Sequence, residues 1–474
     1  MTLQNNSLTD LHQVETLNTT AAHLLIISDL HIARGKEPSG MITGTENFFA
    51  DDALQRWIQF HLHKYQEESA LLVINGDFID FLRVIFTETE VLHFDYVEWQ
   101  KILQKVQIHK TIEELKNSFT EDEKVYGFKT DDFKSIWKLE KVFAGHEKVF
   151  LALVEWLSCP NKELLILKGN HDLEWHWEKV QAYFSVKLNE IALQHNKRII
   201  GKISFIQDSI IINEKLYIEH GHRYDKFSHV VGTPTLDGKL SGQLRLPLGS
   251  FVNRYLLNRI EIAYPFLDNI RPTSNILAIL LKERFPLAIE ILTKRVLALL
   301  KFVDKKAFSY VFGQALTFIG IIMIPVVLTI FLMYKDITNI NLKGDWSNLS
   351  FLKNLGTLVI SYIIGQFVGV FNLKEPDDLS QEAPNIFKKY PNLEVITMGH
   401  THNPMQIFQD NKAFFNSGTW IPIVEHTVGN LKEDKTYNYL ELNFLEKELF
   451  TKDSLKRWND DALRPESLYL TLKN

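Results

Sequence analysis

Six short apolar runs, separated by longer helical patterns, constrain the fold more than any other feature of this sequence. Each run is rich in Leu, Ile, Val or Phe and stops at polar residues. Such runs are typical of buried strands, and strands that alternate with helices indicate an α/β architecture. The predicted strands are Leu24–Ile27, Leu71–Ile74, Leu164–Leu167, Leu216–Ile218, Val395–Met398 and Ala413–Phe415, with helices predicted at Leu54–Tyr65 and Glu147–Leu157.

Length and composition exclude several classes of protein. The 474 residues suggest two or three units, or one core with large insertions. A hydrophobic fraction of 45% is ample for a buried core, and 23% charged residues of both signs exclude a disordered chain. The formal charge of -6 argues against a dedicated nucleic-acid binder, which is usually basic. Because Cys159 is the only cysteine, intrachain disulfides and multi-cysteine metal sites are excluded.

Two long stretches of the chain contain no charged residue, unlike the rest of the sequence. One lies between Lys306 and Lys335, and the other runs from Asn354 to Leu373. A bilayer-spanning helix needs about 20 mostly apolar residues, so both stretches qualify. We therefore predict a transmembrane hairpin with spans at 313–334 and 355–373. The alternative is a buried helical hairpin within a large soluble core.

Two parts of the chain interrupt the alternation of strands and helices. Residues 84–139 predict a helical excursion over the core, and the region 231–383 is far longer than a normal connection. Within that region, the segment 274–303 predicts basic amphipathic helices that either lie on an anionic membrane or cap the core. The chain is predicted to begin with a polar tail, 1–21, that lacks a secretory signal. A core in two parts, 22–230 and 384–474, follows, with the insertion 231–383 between the parts.

Polar side chains follow five of the six predicted strands. The blocks are Asp29-Leu30-His31, Gly76-Asp77-Phe78-Ile79-Asp80, Gly169-Asn170-His171-Asp172, His220-Gly221-His222 and Gly399-His400-Thr401-His402. Ligand sites of open α/β sheets gather beyond the carboxyl ends of strands. Any one block alone is more often a solvated surface feature than a metal site. Five blocks, each just beyond an apolar run, predict a common site.

These blocks resemble the signature of the calcineurin-like metallophosphoesterase family, which is D-x-H, G-D-x-x-D, G-N-H-[DE], a single H and G-H-x-H in that order. The resemblance covers roughly 22–230 and 384 onward, and it implies a four-layer α/β/β/α sandwich with the long insertion outside it. Within the family, the blocks look nearest to UDP-2,3-diacylglucosamine pyrophosphohydrolase-like proteins. The chain differs from those proteins in having His171 where they usually carry Arg.

The resemblance implies two divalent metal ions held by seven side chains. It assigns Asp29, His31 and His402 to one metal and Asn170, His220 and His400 to the other. Asp77 is the bridge that binds both. Manganese is favoured, with iron or zinc as alternatives, because imidazole, carboxylate and amide ligands suit these ions. A carboxylate between two cations offsets their repulsion and leaves room for a shared water that can attack phosphorus.

Three further residues of the blocks are expected beside the metals. His171 matches the family's catalytic histidine, which contacts the phosphoryl group or protonates the leaving oxygen; the alternative is a brace for a ligand. Asp80 and Asp172 are expected to orient histidines rather than to bind metal.

Four other positions leave alternatives open. Relatives with this pattern often carry Asp where this chain has His222, so we expect His222 to contact the substrate or a ligand rather than a metal. Arg223 and Arg83 either contact phosphate or form ion pairs. The segment 174–177, Glu-Trp-His-Trp, forms either an aromatic wall beside the metals or ordinary helix packing.

The sequence predicts a membrane-anchored dimetal hydrolase of a phosphomonoester, phosphodiester or pyrophosphate, with a lipid-linked substrate. The membrane contact is predicted at residues 307–373. Lys and Arg residues are more numerous before this region than in the connector 335–353, and this distribution places the core on the cytoplasmic side. One alternative is a nuclease of the same family, which the acidic charge disfavours, so no nucleic-acid partner is expected. The other is a non-catalytic metal-binding scaffold, which the intact ligand set disfavours. The oligomeric state stays open.

Overall fold

The computed structural model describes residues 12–36, 45–225, 227–262, 270–271, 378–425, 430–431 and 436–468. The chain divides into two units, of which the larger comprises residues 1–269, 376–424 and 429–474 and contains almost all of this part. The predicted amphipathic segment 274–303 and the spans 313–334 and 355–373 lie outside the described residues. Among the helices inside them, none has the length and apolar content that a bilayer crossing requires.

The described residues form a mixed α/β structure. Its strands are β1 (Val14–Leu17), β2 (His23–Ile27), β3 (Ala70–Asn75), β4 (Lys162–Leu167), β5 (Ile203–Ile206), β6 (Ser209–Ile212), β7 (Leu216–Glu219), β8 (Ile270–Arg271), β9 (Val395–Met398), β10 (Met405–Gln409), β11 (Lys412–Asn416), β12 (Val424–Glu425), β13 (Asn430–Leu431), β14 (Asn438–Asn443), β15 (Leu455–Asn459) and β16 (Arg464–Ser467). The six predicted strands lie within β2, β3, β4, β7, β9 and β11, so these predictions are confirmed.

Helices connect the strands and fill the stretch 84–139. The α-helices are α1 (Asp51–Lys64), α2 (Glu88–Leu92), α3 (Tyr96–Gln104), α4 (Ile112–Ser118), α5 (Glu121–Tyr126), α6 (Asp132–Gly145), α7 (Glu147–Ser158), α8 (Glu178–Gln194), α9 (Leu248–Val252), α10 (Asn258–Glu261) and α11 (Ala383–Lys389). Capping boxes, in which a Thr side chain and a Glu three residues later satisfy each other's backbone N–H groups, begin α2, α4 and α5. Both predicted helices, which overlap α1 and α7, are confirmed.

Two mixed sheets carry the structure. The larger has the strand order β16-β15-β14-β2-β3-β4-β5, and the smaller has the order β1-β6-β7-β9-β11-β10. In the first, β2, β3, β4 and β5 are parallel, and the helices α1, α7 and α8 lie in the connections between them. Parallel strands need such crossovers, because the chain must return to the same end of the sheet.

The central strands of each sheet are buried on both faces, which explains why their sequences are continuous apolar runs. Leu24 and Ile26 of β2 belong to a buried cluster with Ile218 of β7 and Phe415 of β11. Their neighbours Leu25 and Ile27 belong to another cluster, with side chains of α1, α7 and α8. Alternate side chains of a strand point to opposite faces, so β2 joins two cores. A third cluster combines the smaller sheet with α11.

The strand directions bring the polar blocks together. Because β2, β3 and β4 are parallel neighbours, their carboxyl ends and the loops 28–31, 76–80 and 168–172 share one edge of the larger sheet. In the smaller sheet β7 and β9 are parallel neighbours, so the loops 220–222 and 399–402 also share an edge.

Candidate metal centre

Five of the seven predicted ligands adopt an uncommon backbone conformation. They are Asp29 (φ 54°), His31 (φ 49°), Asp77 (φ 51°), His400 (φ 69°) and His402 (φ 58°). For residues other than glycine this left-handed region costs roughly 1–2 kcal/mol each. Such strain persists only where the surrounding structure enforces it, and it clusters at functional sites.

One group of ligand atoms comes from the loops after β2 and β9. His402 Nε2 lies 3.0 Å from His31 Nε2 and 3.3 Å from Asp29 Oδ1. His31 Nε2 lies 3.9 Å from the same Asp29 oxygen. Asp29 is held in place by the backbone N–H of His400, which lies 3.2 and 3.0 Å from its two carboxylate oxygens. The three side chains could hold one metal ion.

A second group comes from the loops after β3, β7 and β9. His220 Nε2 lies 3.1 Å from Asp77 Oδ2, and the rings of His220 and His400 are 5.4 Å apart. His220 Nδ1 donates to the carbonyl oxygen of Asn75 at 2.8 Å, which fixes the ring and turns Nε2 toward Asp77. Asp77, His220 and His400 are buried, and they too could hold a metal ion.

Asp77 lies between the two groups. Its Oδ2 is 3.7 Å from His31 Nε2 on one side and 3.1 Å from His220 Nε2 on the other. Its Oδ1 accepts a hydrogen bond from the backbone N–H of His171 at 2.8 Å. One carboxylate therefore faces a histidine of each group. Asp29 Oδ1 is also 3.9 Å from His220 Nε2, so the two groups adjoin.

Asn170 lies between Gly169 and His171 in the loop after β4, and its side chain is buried. Its Oδ1 has no hydrogen-bond partner within the part of the chain that the structure describes. A buried polar atom left unpaired costs about 1–3 kcal/mol. An amide oxygen with such an unmet demand fits a role in binding a ligand.

Three glycines leave room for the ligands. A Cβ at Gly76 would lie 2.4 Å from the ring of His220, one at Gly169 would lie 2.1 Å from Asp77 Oδ1, and one at Gly399 would lie 2.6 Å from Asp29 Oδ2. Any side chain at these positions would displace one of the predicted ligands. The glycines of the sequence blocks are therefore required by the close approach of backbone to ligand side chains.

A third group, His31, Asp80 and His171, adjoins the first. Asp80 Oδ2 accepts from His171 Nδ1 at 2.9 Å and lies 3.4 Å from His31 Nδ1. Asp80 is fully buried, which would raise its pKa, but His171, His31 and Arg83 together outweigh burial and hold the pKa far below its usual value. The charged carboxylate orients both imidazoles, as predicted for Asp80.

The electrostatics of the site keep the carboxylates charged. Burial raises the pKa of Asp29 and Asp77, yet the charges and hydrogen bonds of His220 and the other neighbouring histidines together outweigh it, and both pKa values fall below the usual range. Burial lowers the pKa of His220, but Asp77 and Asp29 raise it to about 10. Charged carboxylates are the form that binds a cation.

Asp172 joins two loops instead of orienting a histidine. Its carboxylate accepts from the backbone N–H of Gly169 at 2.5 Å, from that of Phe78 at 2.8 Å and from the indole of Trp175 at 3.0 Å. Burial and the negative charge of Asp77 raise the pKa of Asp172 to about 7. Asp172 thus ties the loop after β4 to the loop after β3.

His222 and Arg223 follow β7 at the edge of the centre. The ring of His222 lies 5.5 Å from that of His220, and burial together with the positive charges of His220 and His400 holds its pKa well below the usual value. Arg223 Nε lies 2.5 Å from Glu219 Oε1. Arg223 therefore forms an ion pair, which was one of its two predicted alternatives, the other being phosphate contact.

Sequence reasoning missed Asp225. Its Oδ2 accepts from His400 Nε2 at 3.2 Å, and it is held in turn by the backbone N–H of Phe227 and the hydroxyl of Ser228. The available signal was the carboxylate three residues beyond the His220-Gly221-His222 block.

Arg83 and Trp175 are engaged in ion pairs and in packing, respectively, which were the alternatives to phosphate contact and to an aromatic wall. Arg83 is buried in ion pairs with Asp80 and Glu261. Trp175 is buried, and its ring packs against Phe81 and Phe184 rather than forming a wall at the surface.

The chain was compared with protein-family models, with curated proteins and with solved structures, and no match was found.

Proposed function

We propose that this protein is a dimetal-dependent phosphoesterase of the calcineurin-like class, which hydrolyses a phosphomonoester, phosphodiester or pyrophosphate bond. The observation that carries the proposal is the position of Asp77, whose Oδ2 lies within 3.7 Å of His31 Nε2 and 3.1 Å of His220 Nε2. A carboxylate that faces two sets of nitrogen and oxygen donors is the arrangement that a bridged metal pair requires.

The donor set fits two divalent cations. In this proposal Asp29, His31 and His402 would hold one metal, Asn170, His220 and His400 would hold the other, and Asp77 would be shared by both. The partnerless Oδ1 of Asn170 supports its inclusion. Asp225 engages Nε2 of His400, so Nδ1 of that ring would be the atom left to bind the metal. This mixture of imidazole, carboxylate and amide donors suits manganese, iron or zinc, and of these we propose manganese.

The residues of the chain have separate tasks in the proposed reaction. When bound, the metals supply an activated water and stabilise negative charge on the phosphoryl oxygens. Asp80 engages Nδ1 of His171 and sets the orientation of the imidazole. Nε2 of His171 is then the atom that contacts the phosphoryl group or donates a proton to the leaving oxygen. Asp172 holds the loop that carries His171.

The proposed class also implies a four-layer α/β/β/α sandwich. The buried clusters support this order of layers. Helices α1, α7 and α8 share a cluster with the larger sheet, side chains of both sheets share a second cluster, and α11 shares a third with the smaller sheet.

We further propose that residues 307–373 hold the protein against a membrane, with the catalytic core on the cytoplasmic side and a lipid-linked phosphoester as substrate. The support is the length of the two uncharged stretches and the distribution of Lys and Arg around them. Deletion of 307–373 should move the protein from the membrane fraction to the supernatant. A full-length chain that stays in the supernatant without detergent would contradict this part of the proposal.

Replacement of Asp77 tests the main proposal. Metal-reconstituted wild type should hydrolyse a chromogenic phosphodiester or members of a lipid pyrophosphate panel. Asp77→Asn should abolish turnover and reduce the bound metal, measured by elemental analysis. Asp460→Asn is the matched control, since Asp460 pairs with Arg56 and the indole of Trp458. Wild-type turnover in Asp77→Asn would reject the bridging role, and a wild type that binds metal but hydrolyses nothing would indicate a scaffold.

A further inference from the structure

A buried ion pair connects the start of the long insertion to the candidate centre. Arg83 Nη1 lies 2.5 Å from Glu261 Oε2, and each side chain is only 1% exposed. Burial of two charges is expensive, and replacement of such a pair by apolar packing is often neutral or stabilising, so the pair is weak evidence of a role in stability.

Arg83 extends the pair to the residue that orients His171. Its Nε lies 3.0 Å from Asp80 Oδ2, the same oxygen that accepts from His171 Nδ1 at 2.9 Å. One carboxylate oxygen thus faces a guanidinium and an imidazole together. Because Arg83 is enclosed, with a carboxylate at each end of its guanidinium, it has no surface for direct contact with a substrate phosphate.

The segment that carries Glu261 presents a buried polar face. This face comprises Ser250, Asn253, Arg254, Asn258 and Glu261, spaced as one side of a helix. Ser250 Oγ donates to the carbonyl of Asn170 at 3.0 Å, and Asn258 Nδ2 donates to the carbonyl of Leu82 at 2.6 Å. A helix that only fills a core buries an apolar face instead. The segment also contains a π-helical turn, a form frequent at functional sites.

We propose that Arg83 and Glu261 are positioning residues for the hydrolysis: Glu261 holds Arg83, Arg83 holds Asp80, and Asp80 holds His171. This inference rests on the proposed function, because it assigns the two residues to the same centre. It makes the first helical segment of the insertion a support for the catalytic histidine.

Glu261→Gln is the primary test variant, because it keeps the size of the side chain and removes its charge. It should lower kcat about 10-fold, the loss typical of a residue that supports a ligand or catalytic group, with KM and bound metal unchanged. Arg83→Lys should act in the same direction, since one ammonium cannot reproduce the guanidinium fork between two carboxylates. If Glu261→Gln does not fold, Arg83→Lys carries the same test.

A second readout does not need turnover. The ring ¹⁵N resonances of His171, identified by their loss in His171→Asn, report the hydrogen bond at Nδ1. Glu261→Gln should shift these resonances. The matched control is Glu123→Gln, which removes the acid of another buried ion pair, 2.7 Å from Lys134 Nζ. The control should lose stability but keep the wild-type kcat and the wild-type His171 resonances.

The outcomes separate this inference from the proposed function. Wild-type kcat and unshifted His171 resonances in Glu261→Gln would overturn the inference while phosphoesterase activity stands. An equal loss of kcat in Glu123→Gln and Glu261→Gln would also overturn it, since the effect would then be one of general stability. If the wild type hydrolyses no phosphoester, the proposed function fails. The His171 resonances alone then decide whether Glu261, through Arg83 and Asp80, sets the orientation of His171.

Discussion

The backbone of Gly76 faces the imidazole of His220 so closely that a Cβ at this position would lie 2.4 Å from His220 Cγ and Nδ1. His220 is fully buried and its Nδ1 donates to Asn75, so the ring has no room to withdraw. This contact makes the glycine before Asp77 a part of the centre itself.

Gly76→Ala should therefore weaken metal binding by at least about 10-fold, because it displaces a ligand as well as straining the backbone. Gly238→Ala is the matched control. Both glycines have positive φ, 78° and 67°, but a Cβ at Gly238 would meet nothing within 4 Å. Both variants should lose roughly 1–2 kcal/mol from the left-handed backbone alone. Calorimetric titration with Mn²⁺ distinguishes them, and equal affinities in the two variants would contradict the role of Gly76.

His171→Asn should reduce kcat by about 100-fold and leave the bound metal unchanged. The reason is that His171 contacts Asp80 through its side chain and Asp77 only through its backbone N–H, so its imidazole is not needed to hold a ligand. His195→Asn, at an exposed position just after α8, is the control and should match the wild type. Loss of metal from His171→Asn, measured by elemental analysis, would instead make His171 a ligand.

The local part of this site could be predicted from the sequence because its signals are local. Strand β4 reads as an apolar run, and Asn170 and His171 follow it directly, so the position of the loop beyond the strand follows from the pattern. The same reasoning applies to Asp29 and Asp77, which end neighbouring parallel strands. Asp80 was expected to orient a histidine, but its contact with His171 in particular was not predicted.

The rest depends on contacts between distant parts of the chain, which leave no periodic signal. Glu261 and Arg83 are 178 positions apart in the sequence, and the two residues do not form a recognisable motif. Asp225 reaches His400 across 175 positions. Asp172 was expected to face a histidine, but backbone N–H groups, which a sequence pattern does not show, take its oxygens.

Metal should stabilise the folded protein, and Asp29→Asn should remove much of this effect. A ligand that binds only the native state at 100 times its Kd contributes about 2.7 kcal/mol. The wild type should accordingly melt at a higher temperature with Mn²⁺ than with EDTA, whereas Asp29→Asn should show a much smaller difference. Scanning calorimetry provides the measurement, and Asp460→Asn should behave as the wild type. A wild-type Tm that does not respond to any of Mn²⁺, Fe²⁺ or Zn²⁺ would contradict a metal centre.

A pH-dependent contribution to stability lies away from the candidate metal centre, at His146. The ring is 2% exposed, with Nδ1 2.9 Å from Asp51 Oδ1 and Nε2 3.2 Å from Glu46 Oε2. Burial lowers the pKa of His146, but these two carboxylates outweigh it and raise the pKa from 6.5 to about 9. A raised folded-state pKa means that the protonated form stabilises the fold. This contribution is fully present below pH 6.5 and is lost as the pH rises through 9.

His146→Gln should remove this contribution, which is of order 3 kcal/mol for a shift of this size. The gap in unfolding free energy between wild type and variant should be largest at acid pH near 6 and should shrink at alkaline pH above the raised value. Urea denaturation in EDTA at the two pH values measures the gap. His220, whose pKa is raised to about 10, titrates in both proteins, so its effect cancels in the difference. A gap that stays constant with pH would show that His146 contributes packing rather than charge.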